Sequence, residues 1–402
     1  VPNLPKVFLL ITDAGGGHRA SANSLKAACE ARKLPLEIRV VNVYREIWQD
    51  AEPLGRATGI YGEDIYNFTL KHSLLALAPS LRNMARWAAH RPNPLAWRDG
   101  LAFLEKERPA LCISLMPFVN DTLAQLCAHA NVPFALTMTD LVDIRPYMWY
   151  TPQACRDAAW VTAPCAQAAE QARESGASRV LDCGLLLHPK YYAPAFRALD
   201  QKTARKKLGL ETNRTTILLS MGGFGGSAIE DLVEGLEHQG AGFQIVAACG
   251  RNEALLKKLQ ARPRGRHRLI PLGFTQDLHL YLKAADLMAG KPGPASLFEA
   301  VAAGTPMVLD AASTMPQEAP NANLAQSKGW ALSIRSRRDL PKAVSKLAQD
   351  PQTLAMMAAA EQAYPFRDTP DLLANAVMDS LQRPQPLIAN PFETNAEMGQ
   401  QN

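Results

Sequence analysis

One supersecondary unit occurs twice in this sequence, and its repetition restricts the fold more than any other feature. Lys6–Thr12 (KVFLLIT) is an almost unbroken apolar run, followed by Asp13-Ala14-Gly15-Gly16-Gly17-His18 and by Arg19–Arg32, whose small and apolar residues recur at helical spacing. Thr215–Ser220 (TTILLS), then Met221-Gly222-Gly223-Phe224-Gly225-Gly226-Ser227, then Ala228–His238 repeat that order. A short run that is apolar throughout suits a strand buried on both faces, as in a parallel sheet covered by helices on both sides. Further runs of this kind are Leu36–Val43, Leu111–Met116, Phe134–Met138, Ala159–Thr162 and Val180–Cys183, then Phe243–Ala248, Leu269–Leu272, Leu287–Ala289 and Met307–Asp310. The pattern predicts an α/β protein of two domains, residues 1–190 and 191–382, with a cleft between them. Ligands in such sheets sit at the carboxyl ends of strands, where both Gly-rich turns fall. Residues 383–402, rich in Pro, Asn and Gln, read as a disordered tail.

Composition narrows the function classes. The 402 residues are 47% hydrophobic and 20% charged, which excludes a wholly disordered chain. No apolar run approaches the ~18 residues of a membrane-spanning helix. Val1–Leu10 lacks a basic flank and a small-residue cleavage site, so it does not read as a signal peptide. Seven cysteines, with no C-x-x-C pair, suit a reduced cytosolic compartment and argue against a zinc site. A net charge of +5 only mildly favours an anionic partner.

The turns carry the candidate chemistry. Gly15, Gly16 and Gly17 allow a tight turn and close approach of a ligand. His18 follows at the helix start, where the positive end of the helix disfavours the imidazolium and leaves a neutral base; a histidine that only caps or packs is the alternative. Gly222, Gly223 and Ser227 belong to a second turn that can cradle an anion. In Gly290-Lys291-Pro292-Gly293-Pro294-Ala295-Ser296-Leu297-Phe298-Glu299-Ala300, Ser296 can cap a helix or bond a phosphate, and Glu299 can accept from ribose hydroxyls unless it is an ordinary surface glutamate. The amides of Pro316-Gln317-Glu318-Ala319-Pro320-Asn321-Ala322-Asn323 suit sugar hydroxyls.

Taken together, D-A-G-G-G-H at 13–18, GKPGPASLFEA at 290–300 and PQEAPNAN at 316–323 resemble the motifs of the monogalactosyldiacylglycerol synthase-like glycosyltransferases, with a weaker kinship to the bacterial N-acetylglucosaminyltransferase of peptidoglycan synthesis. The resemblance covers roughly residues 5–370 and implies the α/β GT-B fold, two facing Rossmann-like domains with an interdomain cleft, a UDP-sugar donor and inversion at the anomeric carbon. By the same resemblance His18 lies beside the acceptor hydroxyl. Gly222, Gly223 and Ser227 lie near the diphosphate, Glu299 holds the ribose, Gln317 and Glu318 hold the sugar, and Phe274 flanks the uracil; Gly293 and Ser296 are further donor-binding candidates. Thr139-Asp140-Leu141 matches the family's T-D, which makes Asp140 a second candidate base or a partner for His18. Arg145 stands near the position where the family often has His, so the acceptor side departs from the pattern. No D-x-D sequence occurs, so no metal and no other cofactor is expected.

Ile65–Ala89 mixes Leu74, Leu75 and Trp87 with Lys71, His72, Arg82 and Arg86, a composition that suits a helix lying in a membrane interface, broken near Pro79. An amphipathic helix pair packed on its own domain is the alternative. The basic runs Lys202–Lys207 and Lys257–Arg268 read as surface, with anionic head groups a possible partner; nucleic acid is not expected, since no aromatic platform accompanies them. The reading is an inverting hexosyltransferase that uses UDP-galactose or UDP-glucose on a lipid hydroxyl, foremost diacylglycerol, on the cytoplasmic face of the cell membrane. A UDP-sugar epimerase, a transferase with another acceptor, and a non-catalytic binding scaffold are the competing readings.

Overall fold

The computed structural model describes residues 4–71, 78–89, 91, 93–222, 228–240, 242–314 and 318–382. Twelve strands form two all-parallel sheets among these residues. The first sheet contains β1 (Lys6–Ile11), β2 (Glu37–Asn42), β3 (Leu111–Ser114), β4 (Phe134–Leu136), β5 (Val161–Ala163) and β6 (Val180–Asp182), in the order β2-β1-β3-β4-β5-β6. The second contains β7 (Thr216–Ser220), β8 (Gln244–Gly250), β9 (Arg268–Gly273), β10 (Leu287–Gly290), β11 (Met307–Asp310) and β12 (Ala331–Ile334), in the order β12-β11-β10-β7-β8-β9. Strand order reverses direction at β1 and at β7, the strands that feed the two Gly-rich turns. These are the switch points at which open parallel sheets bind ligands.

The double-sided burial predicted from the apolar runs is present. Val7, Leu9 and Ile11 of β1 face one core with Leu25, Trp160 and Val377, while Phe8 and Leu10 face the other with Cys112, Phe134 and Leu136. In the second sheet Ile217, Leu219, Ile245, Ala247 and Val308 pack against Leu232, Leu236 and Val344 of the covering helices.

The described residues fall into two compact units, one within Val1–Tyr66, Ser80–Leu186 and Thr369–Asn402, the other within Asn67–Pro79 and Leu187–Asp368. The helix Thr369–Gln382 therefore belongs to the first unit, not to the second as its place in the sequence implies. Its apolar residues Leu373 and Val377 are buried in the first core, Trp160 Nε1 donates to Ser380 Oγ at 3.0 Å, and Arg32 pairs with Asp371 at 2.9 Å. The predicted tail, 383–402, lies outside the described residues.

The basic run 202–207 is not wholly surface. Asp200 caps the helix Gln201–Lys207 by accepting from Thr203 N at 2.9 Å, and Arg205 is buried, paired with Asp286 at 2.5 Å. A buried guanidinium held by a carboxylate and by backbone carbonyls of Ala284 and Thr212 serves the fold.

Candidate functional site

In the first unit the chain leaves β1, makes the Gly-rich turn and enters the helix Gly17–Ala31. Gly15 and Gly16 have φ of 74° and 81°, a left-handed backbone that glycine adopts without strain. A Cβ on Gly16 or Gly17 would meet no atom within 4 Å, so the space over the turn is open. His18, half-buried, is the second residue of that helix. Its Nδ1 lies 3.0 Å from Thr139 Oγ1, and its ring centroid lies 5.7 Å from that of the fully buried Trp149. Burial depresses the His18 pKa to about 4; a backbone hydrogen bond with Leu115 and the charges of Asp13 and Glu63 pull weakly the other way. The imidazole is thus neutral, chiefly through loss of water around it.

Asp140 is brought to the same place. Trp149 Nε1 donates to Asp140 Oδ2 at 2.9 Å, so one indole touches both candidate bases. Asp143 holds that indole's backbone: its buried carboxylate accepts from the N–H groups of Met148 (3.0 Å), Trp149 (2.8 Å) and Tyr150 (2.9 Å). Burial nevertheless raises its pKa above the usual carboxylate value. Arg145, near the family's histidine position, points to Glu174 at 2.7 Å and stacks over Tyr147. Trp149 and Asp143 as supports of the site were not evident from the sequence, because only the folded 141–150 loop aims them.

In the second unit Gly222 follows β7 with φ of 88°. Gly290, paired with Ser220, has no room for a side chain: a Cβ there would lie 2.2 Å from the Ser220 carbonyl oxygen. This close approach of β10 to β7 brings Lys291 beside Gly222, and Lys291 Nζ is 3.9 Å from Glu318 Oε1. Gly293 is the N-cap of the helix Pro294–Ala303 and has no side-chain cap, so Ser296, three residues in, does not cap it. The same glycine faces Glu318, which would be 3.7 Å from a Cβ. Asn321 Nδ2 donates to the Pro292 carbonyl at 2.9 Å, tying the 316–323 segment to the 290–300 loop. Gly222, Lys291, Gly293 and Glu318 are therefore gathered at the carboxyl ends of β7, β10 and β11.

Glu299 lies further along the helix Pro294–Ala303, half-buried. Burial pushes its carboxyl pKa up to about 7, opposed by the Tyr191 hydroxyl, which hydrogen-bonds it, and by the Lys190 charge. Lys190 Nζ also donates to the Gln276 carbonyl at 2.6 Å. The contribution of Tyr191 and Lys190, distant in sequence from Glu299, carried no sequence signal. Phe274, at the end of β9, is 57% exposed and lies under the Arg251 guanidinium, 4.3 Å from its ring centroid. Gly223, Ser227 and Gln317 lie outside the described residues.

The candidate membrane segment forms the helices Gly62–Lys71 and Ala78–Ala89, with Leu74 and Leu75 outside the described residues. Trp87 is 58% exposed beside an equally exposed Met84, and Arg91 sits over its ring at 3.9 Å. Among the described residues no helix is long and apolar enough to cross a membrane.

Residues 218–373 match the glycosyltransferase family 28 C-terminal domain. Over 372 residues the chain is 27% identical to monogalactosyldiacylglycerol synthase 1, chloroplastic, of Arabidopsis thaliana, an alignment spanning 86% of this chain and 64% of that protein. Over 259 residues it is 29% identical to the processive diacylglycerol beta-glucosyltransferase of Staphylococcus carnosus, spanning 63% of each. The chain thus spans about 64% of the length of the first of these relatives. In structure it resembles MurG of Acinetobacter baumannii, with a TM-score of 0.62 at 13% identity over 93% of this chain and 99% of that one, which establishes a common fold. The chain has the GT-B fold, is similar in sequence to the monogalactosyldiacylglycerol synthases, and over residues 218–373 matches the glycosyltransferase family 28 C-terminal domain.

Proposed function

We propose that this protein is an inverting glycosyltransferase that moves a hexose, galactose or glucose, from a UDP-sugar to the hydroxyl of a diacylglycerol-like lipid. The observation that carries the reading is the neutral His18 at the open Gly-rich turn, bracketed by Thr139 and by the Trp149–Asp140 pair. The neutral imidazole of His18, its Nδ1 beside Thr139 Oγ1, takes the acceptor proton, and Asp140 supports the ring's positive charge as it forms. The acceptor oxygen attacks the anomeric carbon from the face opposite the leaving group, the C–O bond to the diphosphate breaks, and UDP departs with the bonding pair.

The second unit serves the donor. Glu299, its carboxyl raised to about 7 by burial and drawn back towards the ionised form by Tyr191 and Lys190, accepts from the ribose hydroxyls. Phe274 flanks the uracil. The turn at Gly222, the uncapped helix start at Gly293 and the Lys291 ammonium meet the diphosphate charge without a metal. Glu318, with Gln317, receives the sugar hydroxyls. The exposed Trp87 and Met84 rest in the interface of an anionic bilayer, and the protein works peripherally on the cytoplasmic face of the cell membrane.

The test is incubation with radiolabelled UDP-galactose, UDP-glucose and UDP-N-acetylglucosamine and a panel of lipids including diacylglycerol, with and without EDTA, followed by chromatography of the lipid fraction. Labelled glycolipid that is insensitive to EDTA is the expected product. Label recovered only as an epimerised nucleotide sugar would replace the reading with an epimerase.

A further inference from the structure

A Cβ on Gly16 or Gly17 would meet open space, so no side chain packs over that part of the turn that carries His18. The ring itself meets Thr139 and Trp149, while the backbone that carries it is held by side chains at the two ends of the turn. At the leading end stands Glu63, near the start of the helix Gly62–Lys71, with its side chain only 1% exposed. Its Oε2 accepts from the Thr12 hydroxyl at 2.7 Å and from the Asp13 N–H at 2.7 Å. Its Oε1 accepts from Arg45 Nε at 2.5 Å and from Asn42 Nδ2 at 3.0 Å. These donors come from the end of β1, the end of β2 and the turn after β2. At the trailing end Arg19 grips Asp13 through both carboxylate oxygens, at 2.5 and 2.7 Å, and Asn42 Nδ2 also reaches Asp13 Oδ2 at 2.9 Å. Asn42 therefore bridges the two carboxylates, and residues 14–18 are bracketed between bonds at 12–13 and at 19.

We infer that Glu63 is a positioning residue for the Gly15–His18 turn, holding the backbone from which the acceptor-side imidazole projects. The inference rests on the reading of His18 as the base. Glu63 itself does no proton transfer. Every hydrogen-bond partner around it is a donor, both of its oxygens are bonded, and its side chain is closed to solvent. An amide in its place turns an N–H toward the Arg45 or Asn42 donors and loses at least one bond that anchors Thr12 and Asp13.

The test compares the full-length wild type with Glu63→Gln and, in case that variant does not fold, with Thr12→Val, which deletes one donor to Glu63 and keeps the side-chain shape. Two readouts are taken: kcat and donor KM for glycolipid formation, and hydrogen exchange of the peptide covering residues 12–20 against peptides from β3, β4 and the helix Thr369–Gln382. The expected result is a kcat lower by about 10- to 100-fold, as loosening of a catalytic group by ~1 Å produces, with donor KM changed less than about twofold and faster exchange confined to 12–20. Exchange at 12–20 equal to wild type, or raised equally throughout the unit, overturns the inference. If wild type forms no glycolipid, the transferase reading falls while the exchange comparison still decides whether Glu63 holds the turn.

Discussion

The Trp149 indole N–H donates to the Asp140 carboxylate at 2.9 Å. Because the same indole lies beside the His18 ring, at 5.7 Å between centroids, the two candidate bases share one rigid, fully buried support. Trp149→Phe keeps an aromatic face for His18 and removes the bond to Asp140. We expect kcat to fall by about tenfold, in keeping with the modest worth of one hydrogen bond to a charged group, with donor KM unchanged. Steady-state kinetics decide it; a kcat equal to wild type would show that Asp140 needs no such anchor.

His18→Ala should lower kcat by about 10²- to 10⁴-fold, the usual contribution of a general base, and leave UDP binding intact by calorimetry. Turnover equal to wild type removes His18 from the mechanism. The wild-type pH profile follows from the depressed pKa. The neutral base is present above about 4, so activity governed by this group rises through that pH and is level across 5 to 8. Stability follows with a definite sign. The unfolded histidine binds a proton below its ordinary 6.5, and the folded one only below about 4, so the native state loses stability as pH falls from 6.5 towards 4. His18→Gln should flatten that part of the stability curve in urea titrations.

The strands were legible because their signal is local: five successive apolar residues at Val7–Ile11 admit few structures other than a strand buried on both faces. The Gly-rich turns were legible for the same reason. β12 (Ala331–Ile334) was not, being a four-residue edge strand with Leu332 exposed. Nor was the return of Thr369–Gln382 to the first unit, since an amphipathic helix does not encode which core receives it. Within the site, His18 and Glu299 stand beside recognisable turns. Their supports do not. Tyr191 meets Glu299, and Glu63 meets Thr12, Asp13 and Asn42, only through long-range folding, and no spacing in the chain announces such pairs.

Glu299 has a carboxyl raised from 4.5 to about 7, first by burial and against the pull of Tyr191 and Lys190. Ribose hydroxyls are received best by the ionised form, so UDP affinity should rise with pH through about 7. Tyr191→Phe removes a donor that favours the carboxylate, and the rise should move to higher pH. Glu299→Gln should bind UDP weakly with no such rise. Calorimetric titration of UDP between pH 6 and 8.5 measures all three, and an affinity for wild type that is flat over this range would dissociate Glu299 from the ribose.

Glu361 closes the helix Pro351–Gln362 fully buried, and neither carboxyl oxygen has a hydrogen-bond partner among the described residues. It lies in the aromatic neighbourhood where Trp330 Nε1 donates to the Ala360 carbonyl at 3.2 Å and Trp330 stacks edge-on to Tyr364. Burial alone raises its pKa well above 4.5, so the folded protein keeps a proton that the unfolded chain releases. The sign is the reverse of His18: stability associated with this group is present at low pH and is lost as pH rises above 4.5 towards the folded pKa. Glu361→Met replaces the unsatisfied carboxyl with an apolar chain of similar length and should raise unfolding stability by about 1–3 kcal/mol near neutral pH, the cost of a buried polar group without a partner. Urea unfolding at pH 4.5 and pH 8 should show the gap between variant and wild type widening with pH. A gap of equal size at both values would mean that the carboxyl finds a partner and does not govern the stability of this unit.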